Sequence, residues 1–206
     1  MRVGAGKNRN FLMLSPIIGL LVIFVGTSKV NAFTGDGNGT SDNPYKISSC
    51  EQLQEISDEL SAHYALVENI DCSGTTAWNA SAGFEPIGTS TSLTFSGVLD
   101  GRNRTIDSLF INRSGNNIGM FAFLSGTVKN LSMTNVDITS SSGTNHGSLV
   151  AEAIGATIEH VSVQGDFNGN QRVGGFVGFV RDGSIEDPAG LATSVVGSPN
   201  TGLRLQ

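Results

Sequence analysis

The alternation of apolar and polar positions divides the chain into stretches of different period. Residues 11–28, FLMLSPIIGLLVIFVGTS, are an almost unbroken apolar run behind Arg2, Lys7 and Arg9. In residues 50–60, CEQLQEISDEL, Leu53, Ile56 and Leu60 recur at three to four positions, the spacing of one face of a short amphipathic helix. Ser49 is a suitable N-cap, and Gln52 three residues on completes a capping box. Tyr45 to Ile47 reads as a short strand. Residues 63–72 read as another, with Tyr64, Leu66 and, after a phase slip, Ile70 on one side. Residues 75–88 read as a loop anchored by Trp78, Phe84 and Ile87. From Phe95 onward no helical period holds for long. Short apolar alternations bounded by glycine replace it.

Those alternations repeat. Gly119, Phe121 and Phe123 precede Gly126-Thr127-Val128 and Leu131-Ser132-Met133. Gly147, Leu149 and Ala151 precede Ala156-Thr157-Ile158 and Val161-Ser162-Val163. Gly174, Phe176 and Gly178 precede Gly183-Ser184-Ile185. A looser first copy runs from Gly97 and Leu99 to Thr105-Ile106 and Leu109-Phe110-Ile111, and the copies are offset by 22, 30 and 27 residues. Such offsets are too short for a propeller blade, and the units lack the helix of most leucine-rich repeats. Three short strands per unit fit one coil of a parallel β-helix, where the same position recurs one coil later. Val128, Ile158 and Ile185 are then one internal stack, and Leu131 and Val161, with Leu109, another. Residues 140–145 and 165–170 are outward loops. A β-sandwich also accommodates short glycine-bounded strands, but it does not explain why the pairs keep returning.

The segment 174-GGFVGFVRDGSIED-187 resembles the GLUG motif of secreted and cell-surface bacterial and archaeal proteins. Gly174, Gly175, Phe176, Val177 and Gly178 match its first part, and Gly183, Ser184 and Ile185 its second. Residues 147–163 match more weakly, with Ala151 at a glycine position, and residues 119–133 look like an entry coil. The N-terminal part resembles the cap that precedes such coils, from Gly35, Gly39-Thr40 and Pro44-Tyr45 to Pro86-Ile87-Gly88 and Leu99-Asp100-Gly101. Cys50 and Cys72 sit where a subset of these proteins carries a cysteine pair. The resemblance implies an all-β fold, a right-handed single-stranded parallel β-helix with an N-terminal cap containing one short α-helix. It also implies display outside the cell, adhesin-like character and no general enzymatic activity. The organisation expected is a signal peptide at 1–32, a cap and first coil at 33–94, GLUG-like coils at 95–187 and an irregular or truncated tail at 188–206. The repeat is lost after Glu186. A solenoid needs its last coil covered, which leaves a fragment, a truncated product or a subunit stacking on its exposed C-terminal coil as readings.

Composition adds the compartment. The basic start, the apolar run and the small residues Val30 and Ala32 read as a signal peptide cleaved after Ala32, with an uncleaved anchor as the alternative. Cleavage removes 32 of 206 residues to leave 174, and takes four bases, so that 18 acids face 8 bases and the charge moves from −6 to −10. That balance argues against nucleic acid and anionic membrane surfaces as partners, so a membrane is met only through an uncleaved signal segment. A secreted or cell-surface location follows. With 27 glycines the composition is turn-rich and β-like. In an oxidising compartment Cys50 and Cys72 read as a disulfide, with two buried thiols as the alternative, and without a CxxC there is little support for redox or zinc chemistry.

Candidate chemistry is sparse. His63, His146 and His160 lack ligand spacing, and neither a metal nor a cofactor is expected. Parallel β-helices also host polysaccharide lyases and hydrolases, for which Asp100, Asp107 and Asp137 are the candidate carboxylates. Asp100 before Gly101 is also an ordinary turn pair, and Asp137 between two aliphatics is also what a solvated strand face looks like. The run 36-DGNGTSDN-43 reads as a turn, or as oxygen ligands for calcium without the twelve-residue loop. Sequons of the form N-x-S/T start at Asn38, Asn79, Asn103, Asn112 and Asn130. Phe121, Phe123 and Phe176 read as core, Phe179 as exposed or at a corner. The principal reading is a non-catalytic module that binds a glycan, a surface or a protein. The alternatives are a carbohydrate-active β-helix enzyme and a fragment of a longer surface protein.

Overall fold

The computed structural model describes residues 33–185. The signal reading of residues 1–32 and the tail reading of 188–206 lie outside the described residues. Among the described residues the chain forms β1 (Tyr45–Ile47), α1 (Cys50–Gln54), β2 (His63–Leu66), β3 (Ile70–Asp71), β4 (Val98–Asp107), β5 (Phe110–Arg113), β6 (Phe121–Leu124), β7 (Thr127–Ser140), β8 (Thr144–Gly147), β9 (Val150–Asn168), β10 (Gln171–Gly174) and β11 (Val177–Ile185). Every pairing between these strands is parallel. The main sheet runs β1-β2-β4-β7-β9-β11, with β3 beside β4, β5 beside β7 and β6 beside β9, while β8 and β10 form a second pair. The result is a curled, all-parallel, all-β architecture. Sandwich sheets are antiparallel, so the pairing removes that reading.

The long strands turn at residues in left-handed backbone conformation. Asn130 (φ 52°) and Asn135 (φ 51°) break β7 into three edges, and Gly155 (φ 66°), His160 (φ 52°) and Gly165 (φ 156°) break β9 into four. Asn117, Asn145 and Arg172 hold the equivalent conformation before β6, in β8 and in β10. Asparagine tolerates this region better than other residues with a Cβ, so its recurrence marks corners. Backbone register then places each pass of the chain on the one before. Leu99 pairs with Val128, Val128 with Ile158 and Ile158 with Ile185, while Ile106, Met133 and Val163 form a second row and Ile111, Ile138 and Phe167 a third. All of these except Ile185, whose side chain lies outside the description, are buried.

Two alignments of the sequence repeat are corrected by the register. Val128 is matched by Leu99, 29 residues earlier, and not by Ile106 at 22. The first pass carries two extra residues at its corner: Asp100 and Arg104 are four apart, against two between their partners Lys129 and Leu131. Two residues, Arg102 and Asn103, turn left-handed there where Asn130 alone suffices later. Leu109 likewise does not share a row with Leu131 and Val161. Arg104 holds that position, and Leu109 lies beyond the next corner, where its carbonyl accepts the Asp137 amide at 2.9 Å.

The cap begins with local chemistry. Ser49 Oγ accepts the Gln52 amide at 3.3 Å, and Gln52 Oε1 accepts the amide of Ser48, one residue before the N-cap, at 2.8 Å. The α-helix gives way after Gln54 to a 3₁₀ turn, Glu55–Asp58. The last turn has no basic residue, and Glu55, Asp58 and Glu59 crowd the negative end of the helix dipole. Leu53 and Ile56 are nonetheless buried. Cys50 and Cys72 are joined in a disulfide with both residues buried. Residues Ser73–Ser81, part of the stretch read as loop, form short turns interrupted by a kink at Trp78, Asn79 and Ala80, and Trp78 stacks on Phe84 at 6.5 Å between ring centroids. A column of rings, Phe33, Tyr45, Tyr64, Phe95 and Phe121, runs from the cap into the first passes with centroid spacings of 4.6, 5.5, 6.1 and 5.1 Å.

Candidate functional site

The three candidate carboxylates sit on three successive edges, with left-handed corners between them. Asp100 Oδ1 accepts the Arg102 amide at 2.9 Å and Asn130 Nδ2 at 3.1 Å, and Lys129 Nζ lies 4.0 Å from Oδ2. Asp107 accepts Thr134 Oγ1 at 2.5 Å, Asn135 Nδ2 at 2.8 Å and Ser108 Oγ at 2.9 Å. Asp137 is exposed, in register between Phe110 and Asp166. The fold thus does not bring Asp100, Asp107 and Asp137 onto one face. Two of them are spent on holding corners closed.

Asp107 carries a measurable signature of that role. The hydroxyl of Thr134, then those of Ser108 and the amide of Asn135, hold its carboxyl below the ordinary carboxylate range. A folded-state pKa below the unfolded one contributes stability above the unfolded value and loses it as pH falls through the folded value, here from about pH 4 downward. Replacing Asp107 by Asn therefore lowers the melting temperature at pH 7 and flattens its decline on acidification. Melting curves of both proteins between pH 7 and pH 3 check this, and two curves that stay parallel reject it.

The pattern of the chain did not reveal the burial of two polar groups, Glu152 and His146. Glu152 is 5% exposed in its side chain, between Phe123 and Phe179 in backbone register. Arg181 binds Glu152 Oε1 through Nε at 3.0 Å and through Nη2, and Asn145 Nδ2 reaches Oε2 at 3.3 Å. Arg172, in turn, lies 5.5 Å over the Phe179 ring. An acid within the apolar run 149-LVAEAI-154 was a signal that it had a partner, but Arg181 lies 29 residues on and is adjacent only once the passes are in register. His146 is fully buried between Ile118 and Val173 in register, with Ser140 Oγ 3.4 Å from Nε2. Burial lowers its pKa, against the opposing pull of the Gly143 and Ser142 carbonyls, and keeps the imidazole neutral at pH 7.

An open cleft of about 400 Å³ lies between the cap helix and residues 85–93. Leu60, Pro86 and Leu93 supply apolar wall, Leu93 being 54% exposed, and Glu55, Asp58 and Glu85 supply charge. The Gln54 side chain fixes one wall by pairing with both backbone groups of Glu85, its Nε2 on the carbonyl at 2.9 Å and its Oε1 under the amide at 2.7 Å. Such a cleft can hold a polar or cationic group; its lining hydroxyls are Ser57, whose Oγ accepts Gln54 Nε2 at 3.5 Å, and Thr89, and its lining contains no His, Lys or Cys. Among the described residues no group of three or more His, Cys, Asp or Glu is placed to hold a metal ion, and no helix is long and apolar enough to cross a membrane.

No protein-family profile matches the chain. Over 152 residues, 70% of its length, it is 43% identical to halomucin of Haloquadratum walsbyi, and the match covers 2% of that protein. Over 136 residues, 63% of its length, it is 35% identical to a "Putative Gly-rich membrane protein" of Evansella cellulosilytica, covering 15% of it. The chain therefore spans a small part of each relative. Among solved structures, a putative immunoglobulin A1 protease from Bacteroides ovatus aligns with 74% of this chain and 66% of its own, at 16% identity and a TM-score of 0.45.

Proposed function

We propose that the chain is a non-catalytic, surface-displayed module: a right-handed parallel β-helix of the GLUG type, adhesin-like, that binds a glycan, a surface or a protein partner. The observation that carries this reading is the 43% identity to a stretch making up 2% of halomucin, which is how one module of a much longer chain compares. The relative described as a Gly-rich membrane protein supports the same compartment. The disulfide fits an oxidising location. On the chemistry, Asp100 and Asp107 are committed to corner hydrogen bonds, and the cleft is lined by no His, Lys or Cys. The GLUG assignment rests on residues 174–185, where Gly174 closes against the Val177 carbonyl and Gly178 against the His146 backbone, so that a Cβ at either position meets main chain.

The full chain, incubated with neutral and acidic polysaccharides, is expected to release neither reducing ends nor unsaturated uronate, while being retained on source cells or their envelope polysaccharide. Turnover that disappears in Asp107→Asn or Asp137→Asn replaces this reading with the enzymatic one. Failure of a surface-applied protease to reach the protein on intact cells removes the location.

A further inference from the structure

The five sequons are alike in sequence, and the fold separates them. At Asn38 the side chain is exposed, and Oδ1 accepts both Thr40 Oγ1 at 2.7 Å and the Thr40 amide at 3.3 Å. Thr40 Oγ1 is held in that orientation because it also accepts the Asn43 amide at 3.2 Å. Among the described residues Asn38 Nδ2 makes no hydrogen bond. Polarising the amide through its oxygen leaves the nitrogen outward and free. Asn103 is exposed on a left-handed corner (φ 58°), and its side chain makes no hydrogen bond among the described residues. Asn112 is exposed on the outer side of β5, in register with Thr139, and Ser114 beyond it is exposed too. The other two amides are in use. Asn79 Nδ2 donates to the Gly83 carbonyl at 2.8 Å, across a run of three left-handed residues, Asn79, Ala80 and Ser81. Asn130 is half-buried, and its Nδ2 donates to Asp100 Oδ1 at 3.1 Å.

We propose that Asn38, Asn103 and Asn112 are sites of asparagine-linked glycosylation, and that Asn79 and Asn130 stay unmodified. The inference rests on the surface-display reading, since the donor is a polyprenyl-phosphate-linked oligosaccharide used by a membrane transferase on exported chains. Nδ2 attacks C1 of the first sugar, the bond from C1 to the lipid phosphate oxygen breaks with its electron pair on the phosphate, and one amide proton passes to the transferase base. Nothing is oxidised or reduced. A sugar at Asn130 or Asn79 has to displace a hydrogen bond that closes a corner or a turn. At the other three positions it projects into solvent, on a protein whose partners are met through its surface.

The protein purified from source cells, digested and fragmented with electron transfer, is expected to show saccharide mass on peptides containing Asn38, Asn103 and Asn112 and none on Asn79 or Asn130. Thr40→Val abolishes occupancy at Asn38 and Thr40→Ser retains it. Occupancy at Asn79 or Asn130 overturns the sorting. An unmodified chain on the cell surface overturns glycosylation and leaves the display reading standing, whereas an unmodified chain retained inside the cell overturns both.

Discussion

Phe121→Ala is expected to destabilise the fold by about 3–5 kcal/mol, the range for removing a buried phenylalanine ring. Phe121 is fully buried, pairs in backbone register with Ile87 before it and Val150 after it, and packs 5.1 Å from Phe95. It ends the column of rings that begins at Phe33, so its deletion opens a void with a cap on one side and the repeating passes on the other. Neither side can collapse into that space without breaking the parallel ladder. Phe121→Leu keeps most of the volume and should cost well under half as much. Urea unfolding of the three proteins measures this. A loss below about 1 kcal/mol for the alanine variant contradicts the assigned packing.

Removing the disulfide is the second large effect. Cys50 and Cys72 are separated by 22 residues, and closing such a loop in the unfolded chain accounts for about 3 kcal/mol by the loop-entropy relation. For a domain of this size the Cys50→Ala/Cys72→Ala variant should melt roughly 6–12 °C lower. In a stack where each pass touches only its neighbours, the damage should also be local. Amide exchange should accelerate in β1, α1, β2 and β3 and change little in β9. Equal melting temperatures with and without reductant, or uniform acceleration, would count against this account.

Much of the fold could be read from local signals. The Ser49 cap, the Leu53 and Ile56 face and the glycine-bounded alternations each depend on neighbours a few residues away. The cysteine pair was legible for a different reason, the oxidising compartment implied by the N-terminal segment. What failed was register. The first copy was aligned seven positions off because Thr105-Ile106, which the register pairs with Ser132-Met133, looks like Thr127-Val128, and the Arg102–Asn103 corner adds two residues without altering the apolar pattern on either side. The same limit hid the polar groups that matter. Glu152 and Arg181, or Asp107 and Thr134, become partners only when passes 27 to 29 residues apart are laid side by side. The asparagines at the corners were visible all along. Their left-handed conformation explains why Asn130, Asn135 and Asn145 recur where glycine would also serve.

The bond between Cys50 and Cys72 has a mechanical consequence. Pulled at its two ends, a chain carries tension along its contour. Unravelled passes lengthen by about 3.3–3.6 Å for each residue released. The segment between the two sulfurs cannot take part, which withholds roughly 75 Å of extension from an oxidised chain. The Cys50–Cys72 segment therefore keeps a fixed length under load, and slack has to come from the residues outside it.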